Sequence, residues 1–211
     1  MKWAQGEHVA LIGPTGTGKT TLAETLLSQR KYVVALLTKS DTLAWRKFRT
    51  ETSAGSLIWA KSAPDGAVRI ILKPSPEKRA DEFRKAIKLA YKQGGWTIYF
   101  DELYELQTLG LEPEIIQQYS EGRSEGITCV GGMQRPAWVT RKGVSRWAIS
   151  QVRHVFGFRM TDQRDVEIVA EIVGKGWARQ LPHIRRFEFA YLNQTTGKTA
   201  TGNVKTLSEV F

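Results

Sequence analysis

The chain has 211 residues, 41% of them apolar and 25% charged, which suits one ordinary domain with a real core. No apolar run approaches the roughly 20 residues of a membrane-spanning helix, and the N-terminus carries no signal-peptide pattern, so no membrane insertion and a cytoplasmic location are expected. Thirty-one Lys and Arg against twenty-one Asp and Glu leave a net charge of +10, a surplus that suits a polyanionic partner without naming one. The single cysteine, Cys129, has no disulfide partner within the chain and reads as a small core residue.

Strand-like and helix-like segments alternate, which predicts an α/β fold: a mostly parallel central sheet flanked by helices. The apolar run His8 to Ile12 is the first strand, closed by Gly13. A helix follows from Thr20 to Gln29, with Leu22, Leu26 and Leu27 toward the core. Tyr32 to Thr38 and Val68 to Leu72 are further buried strands. Pro76 opens a helix to Gln93 whose apolar stripe is Phe83, Ile87, Ala90 and Tyr91. Trp96 to Phe100 is a central strand, and Ile127 to Val130 and His154 to Phe158 are two more. Arg164 to Val173 repeats Val166, Val169, Ala170 and Val173 at helical spacing. Phe187 to Tyr191 alternates with period two and, with Gly197 in a turn, predicts an antiparallel hairpin closing one edge. No repeat or linker interrupts residues 1–211, so a single domain is expected, its core at about 7–174 and a C-terminal hairpin extension at 175–211.

Gly13-Pro14-Thr15-Gly16-Thr17-Gly18-Lys19-Thr20 meets the phosphate-loop pattern G-x-x-x-x-G-K-[ST] at every fixed position, between a strand and a helix start. Glycines let the loop bend until successive N–H groups face one point, where the helix N-terminus adds partial positive charge. These residues and Thr21 are the expected nucleotide contacts; Lys19 would reach the β- and γ-phosphates, and the Thr20 hydroxyl would ligate Mg²⁺. A glycine-rich turn that binds nothing would need neither the lysine nor the strand–loop–helix setting. Trp96 to Glu102 carries the second half. An apolar strand delivers Asp101 to the carboxyl edge of the sheet, where it would hold the Mg²⁺ shell, and Glu102 could polarise an attacking water as general base. Taken alone, two acids at a strand end would be a solvated terminus. Beside a full phosphate loop they point to ATP hydrolysis.

The order GPTGTGKT, WTIYFDE, Gly122-Arg123 and ITCVGGMQRP resembles the FtsK/HerA superfamily of DNA-translocating ATPases, and is most similar to its compact viral and phage genome-packaging members. Leu36 to Asp41 and Ser150 to His154 resemble further segments, so the likeness covers roughly Glu7 to Gly174. The resemblance implies a RecA-like, additional-strand (ASCE) P-loop NTPase. It implies that Gln134 is the polar sensor of the γ-phosphate or the water, and that Arg123 is an arginine finger acting on a neighbouring subunit's site. It also implies a homo-oligomeric ring, double-stranded DNA as partner, and a capsid portal or other docking protein. The additional DNA-docking or nuclease-like domain of many relatives is missing from the pattern.

Both assignments have plainer readings: Gln134 as a strand-end hydrogen-bonder, Arg123 as a solvated loop charge, with Arg135 and Arg146 as competing fingers. For DNA, Arg141, Lys142 and Arg146 with Trp138 and Trp147 form one candidate grip. The basic residues of the 76–93 helix read as a solvated face, and Arg179, Arg185 and Arg186 form a basic group without decisive context. A conjugative or chromosomal translocase, a nucleotide or metabolite kinase, and a non-enzymatic nucleotide switch remain as alternatives.

Overall fold

The computed structural model describes residues 3–39, 45, 47–58, 60–62, 66–136 and 144–210, apart from the side chains of 62, 144–146 and 208–210. Its strands are β1 (Val9–Ile12), β2 (Tyr32–Leu36), β3 (Arg49–Glu51), β4 (Val68–Leu72), β5 (Thr97–Phe100), β6 (Thr128–Met133), β7 (His154–Phe158), β8 (Glu188–Asn193) and β9 (Thr199–Asn203). The helices are α1 (Lys19–Leu27), α2 (Arg79–Gln93), α3 (Leu103–Thr108), α4 (Glu112–Ser120), α5 (Val144–Gln151), α6 (Gln163–Val173), α7 (Lys175–Ala178) and α8 (Val204–Val210).

Successive strand side chains point to opposite faces, and here both faces are apolar. In β1, Ala10 and Ile12 enter one core and Val9 and Leu11 the other. The first core is covered by α2 to α7, whose contributions include Phe83, Leu106, Ile115, Ile149, Val169 and Trp177. The second lies under α1 and α8, with Trp3, Trp45 and Phe48. Each fully buried large side chain contributes about 1.5–3 kcal/mol by leaving water, and neither core is complete without the sheet between them.

The strand order is β3-β4-β2-β5-β6-β1-β7-β8-β9. The first seven strands pair in parallel, and β8 and β9 pair antiparallel at the edge. The expected parallel sheet and closing hairpin are therefore present, with Gly197 at φ 70° in the turn. One strand, β6, lies between the phosphate-loop strand β1 and the Asp101-Glu102 strand β5, which is the additional strand that the resemblance implies.

Some local expectations need correction. The helix opened by Pro76 begins as a 3-10 turn over Pro76–Lys78, whose bonds reach three residues back: the Lys78 N–H donates to the Ser75 carbonyl at 3.0 Å and the Arg79 N–H to the Pro76 carbonyl. Tyr91 leaves the buried stripe, which is Phe83, Ala86, Ile87 and Ala90, and its hydroxyl donates to Glu121 at 3.3 Å. The helical spacing on α6 holds: Val169 is buried, and Val166, Ala170 and Val173 are partly buried against the same core. The basic residues of α2 do form a solvated face, with the Lys85 side chain 64% exposed, and some pair there: Arg84 with Glu114 at 3.1 Å and Asp81 at 3.3 Å, Lys85 with Glu82 at 3.0 Å. No helix among the described residues is long and apolar enough to cross a membrane.

Candidate nucleotide site

Strand β1 ends at Gly13, where a β-carbon would lie 2.7 Å from the Phe158 Cβ of the neighbouring strand. The loop then turns through Gly16 (φ 76°) and Gly18 (φ 112°), both in the region that side chains resist. Gly18 is the N-cap of α1 and supplies no capping side chain, so the first amides of the helix are left for a ligand. Two threonines hold the loop's shape: the Thr17 hydroxyl donates to the Pro14 carbonyl at 2.8 Å, and the Thr15 hydroxyl to the Gln134 side-chain oxygen at 2.7 Å.

Lys19 folds back over the loop and donates to the carbonyls of Gly13 at 2.5 Å and Pro14 at 2.8 Å. It is 8% exposed, and burial lowers its pKa to about 8 against the attraction of Glu102 and Asp101. The buried ammonium is thus tied only to neutral carbonyls, a state that a polyphosphate would stabilise by charge.

The acids are delivered by β5 and by two glycines opposite it. A β-carbon at Gly132 would lie 2.1 Å from the Asp101 carbonyl oxygen, and one at Gly131 2.4 Å from the Tyr119 hydroxyl. Only glycines let the β5–α3 turn lie this close to β6. Asp101 accepts from the Tyr99 hydroxyl at 3.2 Å and the Thr38 hydroxyl at 3.4 Å. Burial raises its pKa, while Lys39 and Tyr99 pull the other way.

Glu102 is the extended N-cap of α3 and is 5% exposed. One carboxylate oxygen accepts from the Gln134 backbone N–H at 3.4 Å; the other is buried without a hydrogen-bond donor. Burial pushes this carboxyl up to about 7, with the Lys19 charge opposing. A carboxylate with an unused acceptor oxygen and a pKa raised toward neutrality has the chemistry of a general base, which it exerts once a water comes within hydrogen-bond reach.

Lys19 and Asp101 border a cleft of about 480 Å³, lined also by the loop, Thr20, Thr21, Lys39 and Gln134, while Glu102 is buried next to Gln134 and outside that lining. The residues fit a hard cation. Among the described residues no three His, Cys, Asp or Glu cluster as a self-sufficient metal site, and Mg²⁺ takes few protein oxygens beside phosphate and water. The Thr20 hydroxyl and the Asp101 carboxylate both border the cleft and would be those oxygens.

Of the predicted site residues, Gly13 to Thr21, Asp101, Glu102 and Gln134 therefore come together at the carboxyl edge. Arg123 does not. It lies in the turn between α4 and β6, with its Cγ 3.2 Å from where a β-carbon of Gly6 would be, and its charge bears on His8. The six-residue strand β6, about 20 Å long at the usual rise, runs between the Arg123 turn and Gln134. Its own cleft is out of reach. Arg135, the first competing finger, is ion-paired to Asp162 and to Asp165, the latter at 3.0 Å. Arg146 falls in α5 but its side chain is outside the described residues, as are Trp138, Arg141, Lys142, Ser40 and Asp41. Trp147 is half-buried, edge-on to Tyr119 at 6.1 Å, and serves packing.

The cleft also has a wall that sequence reasoning missed: Trp45, Arg186 and Phe187. A signal was available for the last two. An antiparallel strand starts where its parallel neighbour ends, so residues just before β8 return to the carboxyl edge of β7, beside the phosphate loop.

No protein-family model matches the sequence, and no curated protein does. Solved structures match in fold. The genome packaging NTPase B204 from Sulfolobus turreted icosahedral virus 2, in complex with sulfate, superimposes with a TM-score of 0.72 over 95% of this chain and 98% of that one, at 14% identity. B204, the DNA-packaging ATPase of Sulfolobus turreted icosahedral virus, gives 0.68 over 95% and 98%, at 16% identity. The cytoplasmic domain of the type VII secretion ATPase EccC from Thermomonospora curvata gives 0.56 over 95% of this chain and 25% of that one, at 16% identity. The architecture is that of a P-loop NTPase.

Proposed function

We propose that this protein is an ATP-hydrolysing motor of the FtsK/HerA type, assembled as a ring and moving double-stranded DNA in viral genome packaging. One observation carries the hydrolytic part: the additional strand β6 brings Gln134 between a complete phosphate loop and a buried Glu102 whose free oxygen is poised near neutral pH. A kinase that hands phosphate to a metabolite hydroxyl has no need of a water-activating acid here, so this favours hydrolysis.

In this reading the triphosphate lies along the amides of Gly16 to Thr20, and Lys19 exchanges its carbonyl partners for the β- and γ-phosphates. Bound Mg²⁺, held through Thr20 and Asp101, supplies charge neutralisation of the phosphates. Glu102 takes the proton of the attacking water, and the Gln134 amide orients that water or the γ-phosphate. Arg123, too far to serve its own site, acts on the next subunit's γ-phosphate and makes turnover depend on assembly. The DNA part rests on the sequence resemblance, the likeness in fold to packaging ATPases, and the net charge of +10. Docking on a capsid portal belongs to the same proposal.

The test is ATP turnover with and without duplex DNA, for the unmodified chain and Lys19→Ala. Turnover stimulated by DNA and abolished by the substitution is expected. A Lys19→Ala protein that turns over normally would remove the phosphate loop from the mechanism, and indifference to DNA would remove the translocase.

A further inference from the structure

Among the described residues Phe187 alone, glycines aside, has a positive φ, 68°. Left-handed backbone is unfavourable for any residue with a β-carbon, and phenylalanine has none of the polar compensation that Asn or Asp finds there. The conformation is held from both sides: the Val204 N–H donates to the Phe187 carbonyl at 2.9 Å, and the Glu188 N–H to the Arg185 carbonyl at 3.1 Å. Glycine would satisfy this backbone without strain. What phenylalanine adds is its ring, half-buried and forming part of the cleft wall.

Arg186 faces the same cleft. Two cations flank the Phe187 ring, the Arg186 guanidinium carbon at 4.8 Å and the Lys205 ammonium of α8 at 4.9 Å from its centroid; the Arg186 side chain is exposed, and no carboxylate pairs with it among the described residues. Helix α8 fixes this pair against the phosphate loop, since Val204 sits 3.1 Å from where a β-carbon of Gly18 would be.

Topology orients a nucleotide between these groups. The strand order β5-β6-β1-β7-β8 puts Asp101, Glu102 and Gln134 on one side of the phosphate loop and Arg186-Phe187 on the other. With the γ-phosphate toward the catalytic acids, the nucleoside end points toward β8. We infer that Arg186 and Phe187 form the nucleobase platform of this site, a cation-flanked aromatic surface against which the base of a nucleoside triphosphate packs, the flexible Lys205 side chain giving way to it. This rests on the phosphate-loop reading above. Strain at Phe187 is then the consequence of turning a ring toward a ligand while the chain enters an edge strand. Stacking needs only a π face, so the platform serves the base without selecting its hydrogen-bonding edge.

The experiment compares ATP with inorganic tripolyphosphate, which lacks the nucleoside, by calorimetric titration with Mg²⁺ present. The proteins are the unmodified chain, Phe187→Gly, Arg186→Ala and Lys19→Ala. Phe187→Gly relaxes the backbone while deleting the ring, and Arg186 is exposed, so folding is preserved in at least one of the two. Both are expected to bind ATP about tenfold more weakly, the size of loss seen when a stacking ring is truncated. Tripolyphosphate binding should stay within about twofold in Phe187→Gly, and fall less than ATP binding in Arg186→Ala. Unchanged ATP affinity, or equal losses for both ligands in both variants, overturns the platform. Lys19→Ala separates the two levels: it should weaken both ligands together. If it weakens neither, or if tripolyphosphate fails to compete with ATP on the unmodified chain, the phosphate-loop reading itself fails.

Discussion

Glu102 shows how burial at one residue sets both chemistry and stability. Desolvation raises its carboxyl to about 7 because the charged form loses water, and the Lys19 ammonium recovers only part of that loss. Its folded-state pKa lies above the ordinary 4.5, so its contribution to stability is complete below about pH 4.5 and is lost as the pH rises through about 7. At 1.36 kcal/mol per pKa unit, the upper bound on that loss is about 3 kcal/mol. Glu102→Gln removes the titration. Its melting temperature should exceed that of the unmodified protein by several degrees at pH 8, with the gap closing toward pH 5. The same variant should bind ATP and not hydrolyse it, because an amide cannot accept the water's proton. Thermal melts across pH, with turnover beside them, check both halves. A melting difference independent of pH would mean that the carboxyl is not held near neutrality, and turnover within a few-fold would assign the base elsewhere.

Strand β6 is the element on which the site depends. Its Gly131 and Gly132 accept the β5–α3 turn at van der Waals limits, and its C-terminus delivers Gln134 to both Thr15 and Glu102. Its N-terminus carries Arg123 at the opposite edge of the sheet. One strand therefore links the sensor proposed for one cleft to the finger proposed for the next subunit's. Arg123→Ala should bind ATP through its intact loop and lose on the order of a thousandfold in turnover. Mixed with Lys19→Ala under conditions of subunit exchange, it should regain part of the activity, since some interfaces then hold both an intact loop and an intact finger. Full activity of Arg123→Ala alone sinks the assignment. Because Arg135 is bound to Asp162 and Asp165, attention would then pass to Arg146.

For the whole molecule, charge is the property that bears on a nucleic-acid partner. Of the surplus of +10, α2 carries a net +3, five basic against two acidic residues, although its Arg84, Lys85 and Lys88 are engaged with Asp81, Glu82 and Glu114. A translocating ring must hold duplex DNA without regard to sequence, so backbone phosphates should supply most of the affinity. Dissociation constants on two unrelated duplexes should agree within a few-fold, and affinity should fall about a hundredfold between roughly 50 and 200 mM salt if four or so phosphates are contacted. A flat salt response, or strong preference for one duplex, counts against the motor.

The sequence by itself determined what short-range chemistry dictates. Gly13 to Thr20 could be read as a phosphate loop because its spacing is the mechanism, and Trp96 to Phe100 as a strand because aromatic and β-branched residues fill it. The parallel sheet and the hairpin at Gly197 followed from alternation and turn chemistry. The helices α3, α4 and α5 were not legible: α3 is only six residues long, and α4 mixes Ile115 and Tyr119 with polar positions in a two-turn segment. Nor was β3, three residues at an edge. Tertiary structure decided everything that depends on strand order. That β6 inserts between β1 and β5 places Gln134 against Glu102, and that β8 runs antiparallel to β7 brings Phe187 back beside Gly18. These residues are separated by tens of positions along the chain, and no local periodicity encodes which strands lie side by side. Burial of Glu102, and with it the displaced pKa, exists only once both cores have closed on the sheet.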